Sequence, residues 1–178
     1  PALIGAHQVD NAGAAIAALR ILGFDGAACE AALSDAVWPA RLQRLTKGPL
    51  IAAAGRAEVW LDGGHNAAAG LALAEAIARL ANRPLHLVCG MLNTKDVSGF
   101  LRPLTEIAGS LHAVSIPGEK ATLSARETCD AALAIGAIAN VSGSVPQAVT
   151  DIVATDPDAR ILICGSLYLA GHVLRENG

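Results

Sequence analysis

The chain has 178 residues, a net charge of −3, 53% hydrophobic residues and 16% charged residues. It is long enough for one full domain and part of another, and its composition supports a sizeable core and argues against disorder. Aromatic residues make up 3%, which argues against a nucleic-acid surface built on stacking rings and a basic patch. We therefore expect a globular protein with no nucleic-acid partner.

The sequence gives no sign of membrane insertion or secretion. No stretch of about 18 apolar residues runs without charged or turn residues, and the first residues lack a basic segment followed by an apolar one. The four cysteines lie far apart, and Cys89 and Cys164 fall in apolar, strand-like runs. This indicates buried reduced thiols, with disulfides left open as an alternative. We expect a cytoplasmic protein with no membrane partner.

The first 44 residues are predicted to be helical. Pro1 stands where a methionine would be expected, so we expect the chain to be part of a longer polypeptide. Asp10 or Asn11 is predicted to cap a helix that runs to about Leu22, and a second helix is predicted over about Gly26–Val37. Since two helices without a sheet form a poor domain, we assign residues 1–44 to the tail of a missing domain.

Residues 45–55 are predicted to be a connector, and a regular alternation follows it up to residue 178. The predicted strands are Ala57–Leu61, Leu85–Gly90, Leu111–Ile116, Ile138–Val141 and Arg160–Cys164. The predicted helices between and after them are Ala67–Leu80, Val97–Ala108, Ala125–Leu133, Pro146–Ala154 and Tyr168–Arg175. Strands that alternate with helices predict an α/β fold, a Rossmann-like three-layer sandwich with a mainly parallel sheet.

The richest stretch in chemistry is Val59-Trp60-Leu61-Asp62-Gly63-Gly64-His65-Asn66. It predicts a strand that passes through a tight turn into a helix, which is where open α/β sheets bind ligands. Glycines allow close backbone approach, helix N–H groups favour an anion, and Asp62 accepts hydrogen bonds from hydroxyls. A nucleotide fits these properties, although such turns also occur without a ligand and an Asp or Asn there is often an N-cap.

Two further turns follow predicted strands, at residues 90–96 and 165–168, and should face the same crevice. Lys95 is a candidate for binding a carboxylate or phosphate, whereas Asp96 can be an N-cap, and Ser166 can bind a ligand or cap a helix. Arg41, at the junction with the helical segment, is a candidate phosphate clamp or a structural arginine. The sequence contains no Gly-x-x-x-x-Gly-Lys-Ser/Thr, Gly-x-Gly-x-x-Gly or Gly-x-Ser-x-Gly motif.

Taken in order, these motifs resemble the carboxyl-terminal part of the folylpolyglutamate synthase/dihydrofolate synthase enzymes of the Mur ligase family. The resemblance covers essentially the whole chain and rests on five segments: His7-Gln8-Val9-Asp10-Asn11, Trp38-Pro39-Ala40-Arg41-Leu42, Leu61-Asp62-Gly63-Gly64-His65-Asn66, Gly90-Met91-Leu92-Asn93-Thr94-Lys95-Asp96 and Ile163-Cys164-Gly165-Ser166-Leu167-Tyr168. It implies an ATP-dependent carbon–nitrogen ligase that converts a carboxylate of dihydropteroate or tetrahydrofolate to an acyl phosphate, which L-glutamate attacks.

The resemblance also implies roles for single residues. Asn11 matches the adenine-side contact, Arg41 the arginine near the phosphates, and Asp62 the acid that binds the ribose or orients ATP. The phosphate loop and the Mg²⁺ ligands would lie in an amino-terminal part outside this chain, so no metal ligand is expected here. The 178-residue chain alone is then expected to be an inactive monomer.

On the amino-acid side, the resemblance implies that Lys95 holds a carboxylate of the incoming glutamate. Ser166 and Tyr168 fall where that glutamate is also contacted, and His65 matches the motif histidine, placed near ATP as a candidate catalytic group. Residues 45–178 would be the glutamate-ligase domain.

The sequence departs from the family pattern in two respects and leaves two other functions open. Gly64 and Ala67 replace the Ala and Pro of Asp-x-Ala-His-Asn-Pro, and the Arg41–Asp62 spacing suggests an inserted turn around Lys47–Arg56. The alternatives are another Mur-type amino-acid ligase and a nucleotide-binding Rossmann-like module without catalysis.

Overall fold

A six-stranded sheet forms the centre of the protein, which a computed structural model describes over residues 2–178 apart from the side chains of residues 6 and 7. The strands are β1 (Gln43–Leu45), β2 (Glu58–Leu61), β3 (Leu85–Cys89), β4 (Ser110–Ala113), β5 (Ala139–Val141) and β6 (Arg160–Cys164). Their order is β1-β2-β6-β3-β4-β5. All neighbours are parallel except β1 and β2, which are antiparallel.

Eight helices precede, connect and follow these strands in the described residues. They are α1 (Ala6–Ile21), α2 (Gly26–Ser34), α3 (Pro49–Ala54), α4 (Ala67–Ala78), α5 (Val97–Thr105), α6 (Ala125–Ala134), α7 (Val145–Thr155) and α8 (Leu167–Asn177). No helix in the described part is both long and apolar enough to cross a bilayer.

Helices cover both faces of the central strands. On one face, Val88, Ile161 and Ile163 pack with apolar residues of α3, α7 and α8; on the other, Leu87 and Leu162 pack with those of α4, α5 and α6. Burial on both faces explains the nearly continuous apolar runs of β3 and β6. The structure confirms the α/β, Rossmann-like three-layer sandwich and its mainly parallel sheet.

Helix capping agrees with the sequence in the α/β part. Ser124 and Glu127 form the predicted capping box at α6, and Ser144 accepts a hydrogen bond from the Gln147 N–H at 3.2 Å to begin α7. Each cap satisfies N–H groups that the first helical turn leaves without a backbone partner.

The predicted start of α1 is wrong. The helix begins at Ala6 after Gly5, which has φ 122° and ψ 145° and provides no side-chain cap. Asp10 and Asn11 therefore lie inside the helix, where the Asn11 amide donates to Gln8 Oε1 at 3.2 Å. Glycine supplied a helix boundary where an Asx cap was expected. Pro1 and the His7 side chain of the first motif lie outside the described residues.

The predicted extent of α2 and the predicted connector also need correction. α2 ends at Ser34 instead of Val37. The connector contains α3, which starts at Pro49 behind Gly48 with φ 98°, and part of β1, which pairs with β2. These elements are too short to show a periodicity in sequence. β1 crosses residues 44 and 45, where we predict the domain boundary, and that division stays a prediction.

Candidate functional site

Three turns meet at the carboxyl ends of neighbouring strands. β6 lies between β2 and β3, so the turns after β2 (62–66), β6 (165–168) and β3 (90–96) are adjacent. Backbone bonds join them: the Gly165 N–H donates to Gly64 O at 3.1 Å and the Gly90 N–H to Cys164 O at 3.3 Å. A Cβ at Gly165 (φ +105°) would come within 2.7 Å of Gly90 O, so this close approach requires glycine.

The first cavity at these turns has a volume of about 480 Å³ and is called the Arg41 cavity. Among its lining residues are Asn11, Arg41 and Asp62, together with Gln8 and Asn66. The structure thus brings together the three residues that the sequence predicts on the nucleotide side. They come from α1, from the segment before β1, and from the end of β2.

Asp62 is buried and holds two backbone groups. Its Oδ2 accepts from the Leu42 N–H at 2.7 Å and its Oδ1 from the Gly64 N–H at 2.6 Å. These bonds fix the turn after β2 and also hold the chain next to Arg41. Hydrogen bonds of this length to a carboxylate are strong ones.

Arg41 is half-buried, and its guanidinium makes no hydrogen bond or ion pair with another residue that the structure describes. It also lines an apolar pocket of about 330 Å³ that it shares with Asn11, Ala15 and Trp38. A partly desolvated guanidinium that forms no ion pair with a described residue is suited to binding an anion.

The second cavity, of about 100 Å³, is called the Lys95 cavity. Its lining contains the three residues predicted to contact the amino acid, Lys95, Ser166 and Tyr168. His65, which the sequence predicts near ATP, lines this cavity and not the Arg41 cavity. Lys95 is half-buried, and its ammonium has no ion-pair or hydrogen-bond partner among the described side chains and carbonyls. Two lone cations therefore lie at the crevice, one in each cavity.

Ser166 and His65 both have structural partners. Ser166 Oγ accepts from the Tyr168 N–H at 3.0 Å and caps α8. His65 Nδ1 lies 2.9 Å from Gly63 O; because a carbonyl only accepts, Nδ1 carries the proton, and the neutral ring has its lone pair on Nε2. Ser166 keeps further acceptor and donor capacity toward the cavity.

Buried thiols lie beneath the turns. Cys29, Cys89, Cys129 and Cys164 are all free and buried, as the sequence indicates for Cys89 and Cys164. A hydrogen bond with Cys89, burial, and the negative charge of Asp62 raise the pKa of Cys164 well above its ordinary value. Cys164 therefore stays protonated and serves as packing.

Two features of the site have no clear signal in the sequence. Ala40 and Leu42 adopt left-handed φ angles of 58° and 41° on either side of Arg41. A glycine at these positions would have indicated such a conformation, whereas alanine and leucine rarely adopt it. Gln8 is buried and lines both pockets beside Arg41. It lies in the quoted motif, but its residue type alone assigns no role.

A mainly parallel sheet with helices on both faces and polar turns at the carboxyl ends of adjacent strands is the architecture of a Rossmann-like domain. Residues 51–176 match the family described as dihydrofolate synthetase, C-terminal domain, and the chain belongs to this family. Asp62, His65, Lys95, Ser166 and Tyr168 lie inside the matched range.

Two curated relatives are similar in sequence. The folylpolyglutamate synthase of Lacticaseibacillus casei is 31% identical over 141 residues, which is 79% of this chain and 30% of that protein. A probable bifunctional folylpolyglutamate synthase/dihydropteroate synthase of Halobacterium salinarum is 31% identical over 170 residues, 93% of this chain and 20% of that protein. The chain therefore spans less than a third of either relative.

Solved structures share the fold. A Mycobacterium tuberculosis folylpolyglutamate synthase complexed with ADP and AMPPCP matches with a TM-score of 0.80 and 28% identity, over 97% of this chain and 40% of that one. Escherichia coli FolC in complex with DHPP and ADP matches with a TM-score of 0.76 and 27% identity, over 93% of this chain and 38% of that one.

Proposed function

We propose that this chain is the carboxyl-terminal part of an ATP-dependent ligase that adds L-glutamate to dihydropteroate, tetrahydrofolate or both. Membership of the dihydrofolate synthetase family supports the class of reaction. The observation that carries the proposal is the pair of neighbouring cavities, each lined by a half-buried cation that has no partner among the described residues. One cation would bind the phosphates of the nucleotide and the other a carboxylate of the amino acid.

The Arg41 cavity fits ATP. Its volume of about 480 Å³ is in the range of small-ligand sites, and its unpartnered guanidinium supplies the charge that phosphate oxygens require. Arg41 would bind those oxygens, Asn11 would contact the adenine side, and Asp62 would contact the ribose or orient the nucleotide. The M. tuberculosis relative is complexed with ADP and AMPPCP, which supports a nucleotide here. When bound, ATP supplies the phosphoryl group that activates the folate carboxylate.

The Lys95 cavity would hold the incoming glutamate. The Lys95 ammonium would pair with one carboxylate, while the Ser166 hydroxyl and Tyr168 contact the same amino acid. His65 has its Nδ1 proton committed to Gly63 O, so Nε2 is the ring nitrogen left to act as an acceptor. We assign His65 an orienting role beside the reacting groups; proton acceptance from the glutamate amine is the alternative role.

The remaining parts of the ATP site would lie outside this chain. Mg²⁺ ligands are expected there, and within the described residues no group of three His, Cys, Asp or Glu side chains could hold a metal. We assign residues 1–44 to the central ATPase domain. Large apolar residues in this segment are exposed, and other parts of such a domain would cover them: Ile21 by 86%, Leu22 by 73%, Val37 by 87% and Trp38 by 62%. The ligase would act in the cytoplasm as a monomer, without nucleic acid or membrane.

Replacement of Lys95 tests the proposal in the polypeptide that contains this chain and its ATPase domain. With glutamate-dependent ADP release as the assay, Lys95→Met should raise the KM for glutamate about 10- to 100-fold, because one charge-assisted bond to a carboxylate is lost. The KM for ATP should stay within about twofold. Lys120→Met, which changes an exposed lysine outside both cavities, is the matched control, and the isolated chain is expected to release no ADP.

An unchanged KM for glutamate in Lys95→Met, or an equal rise for glutamate and ATP, would contradict the assignment of the Lys95 cavity. Glutamate-dependent ADP release by the isolated chain would contradict the shared ATP site.

A further inference from the structure

The backbone around Arg41 has an unusual conformation. Ala40 and Leu42, the residues on either side, both have φ in the left-handed region, at 58° and 41°. Non-glycine residues adopt this conformation at a cost, and it persists where the surroundings impose it. The segment 40–42 must therefore be held by contacts outside itself.

The turn after β2 supplies those contacts. The Leu42 N–H donates to Asp62 Oδ2 at 2.7 Å, and the Gly63 N–H donates to Ala40 O at 2.9 Å. The Gln43 side chain closes the segment, since its Oε1 accepts from the Ala40 N–H at 2.9 Å. The side chains of Ala40 and Leu42 are 3% exposed and belong to the core clusters on opposite faces of the sheet. Both neighbours of Arg41 are thus fixed.

Arg41 itself has no such anchor. Its guanidinium has no partner among the described residues, so the backbone that carries it sets only the direction in which the side chain leaves the main chain. Among the described residues, the Asp62 carboxylate is the charged group that bonds to this backbone, and Asp62 is 6% exposed. A short hydrogen bond from an N–H to a buried carboxylate is hard for water to replace.

We propose that Asp62 is a positioning residue for Arg41, because its bond to the Leu42 N–H holds the left-handed Leu42 that, with Ala40, fixes the main chain from which Arg41 lines the Arg41 cavity. The inference rests on the proposed function, in which the ligand of Arg41 is a nucleotide phosphate. This role differs from a direct contact between Asp62 and the sugar. Loss of a positioning residue weakens the binding of ligands that carry phosphates and leaves the binding of ligands without phosphates unchanged.

Binding of ADP and of adenosine to the 178-residue chain, followed by NMR titration, distinguishes the two roles. Asp62→Asn, which keeps the side-chain size but removes one carboxylate acceptor, should weaken ADP binding about tenfold. Adenosine, which has the sugar and base but no phosphate, should bind to Asp62→Asn as it does to wild type. Arg41→Met should weaken ADP binding to a similar degree, and the double variant should be no weaker than Arg41→Met alone.

Equal weakening of ADP and adenosine by Asp62→Asn, or losses that multiply in the double variant, would overturn the inference in favour of a direct contact. Asp62→Glu, which displaces the oxygens by one methylene, gives the same comparison if Asp62→Asn does not fold.

Amide hydrogen exchange at Leu42 tests the anchor without any ligand. Asp62→Asn should speed exchange of the Leu42 N–H about tenfold or more, while that of Val88 in β3 stays unchanged as a check on folding. Asp25→Asn is the matched control, because Asp25 also accepts from a backbone N–H, at 2.8 Å, but at the start of α2. Unchanged Leu42 exchange in Asp62→Asn would overturn the inference. If the wild-type chain binds no ADP, the same comparison is made in the polypeptide that also contains the ATPase domain. Absence of ADP binding there would refute the proposed nucleotide site, and Leu42 exchange would still decide the anchor.

Discussion

At the scale of single residues, the described charged side chains fall into two groups. Those in ion pairs stabilise the fold, and half-buried ones without a partner are candidates for binding a ligand. At the amino ends of the strands, Glu58 forms ion pairs with three arginines: Arg160 at 2.9 Å, Arg44 at 3.3 Å and Arg83 at 3.8 Å. At the carboxyl ends, Arg41 and Lys95 have no partner among the described residues. Cations that are half-buried and unpaired are the ones expected to bind anions.

The Glu58 cluster predicts a pH-dependent stability. Burial alone would raise the pKa of Glu58, but hydrogen bonds from Trp60 and Arg160 and the charges of Arg160 and Arg44 outweigh it and lower that pKa below its ordinary value. A lowered folded-state pKa contributes stability above the unfolded pKa, and this is lost as pH falls through the folded pKa. Glu58→Gln should cost roughly 1–3 kcal/mol at neutral pH, because it leaves Arg160, whose side chain is 4% exposed, without its carboxylate.

Denaturant unfolding at neutral and acidic pH measures this effect. The difference in unfolding free energy between wild type and Glu58→Gln should narrow as the pH falls into the acid range. Glu106→Gln, at an exposed glutamate, should stay close to wild type throughout. A difference for Glu58→Gln that does not change with pH would show that the carboxylate charge does not stabilise the cluster.

At the scale of elements, the sequence is informative where an element is long enough to show its period. β6 agrees with its predicted bounds, and α4 begins at the predicted residue. α3 and β1 were missed because six and three residues show neither period nor alternation. The same holds for the site. Asp62, Lys95 and Ser166 follow predicted strands and could be placed from the sequence. The left-handed Ala40 and Leu42 depend on tertiary hydrogen bonds, which residue type does not predict.

The start of α4 predicts a stabilising substitution. Asn66, the N-cap, is extended at φ −139° and ψ 167°. This is the conformation favoured by a residue that precedes a proline, so a proline at position 67 is compatible with the backbone. Ala67 occupies the first helical position, where the N–H has no partner within the helix. Ala67→Pro, which restores the proline of the family pattern, should therefore raise the unfolding free energy by about 0.4–1 kcal/mol by restricting the unfolded chain.

Ala69→Pro is the control for that substitution. The Ala69 N–H donates to Asn66 Oδ1 at 2.9 Å, so proline there removes the capping bond and should destabilise. Both variants are compared with wild type by thermal and denaturant unfolding. Loss of stability in Ala67→Pro equal to that in Ala69→Pro would show that the start of α4 does not have the described geometry.

At the scale of the whole molecule, the strand order makes two neighbouring sites from segments far apart in sequence. The Arg41 cavity combines α1, the segment before β1 and the end of β2, while the Lys95 cavity combines the turns after β2, β3 and β6. The order β2-β6-β3 brings these turns together, so the fold places the Arg41 cavity beside the Lys95 cavity. This arrangement suits a reaction in which a phosphorylated carboxylate meets an amine.

The most direct test is a pair of NMR titrations of the 178-residue chain, one with ADP and one with L-glutamate. ADP should shift the backbone signals of Arg41, Leu42 and Gly64, and L-glutamate those of Lys95 and Tyr168, with each ligand sparing the other set. Shifts by both ligands at one and the same cavity, or no shift at either cavity at millimolar ligand, would contradict the account of two separate neighbouring sites.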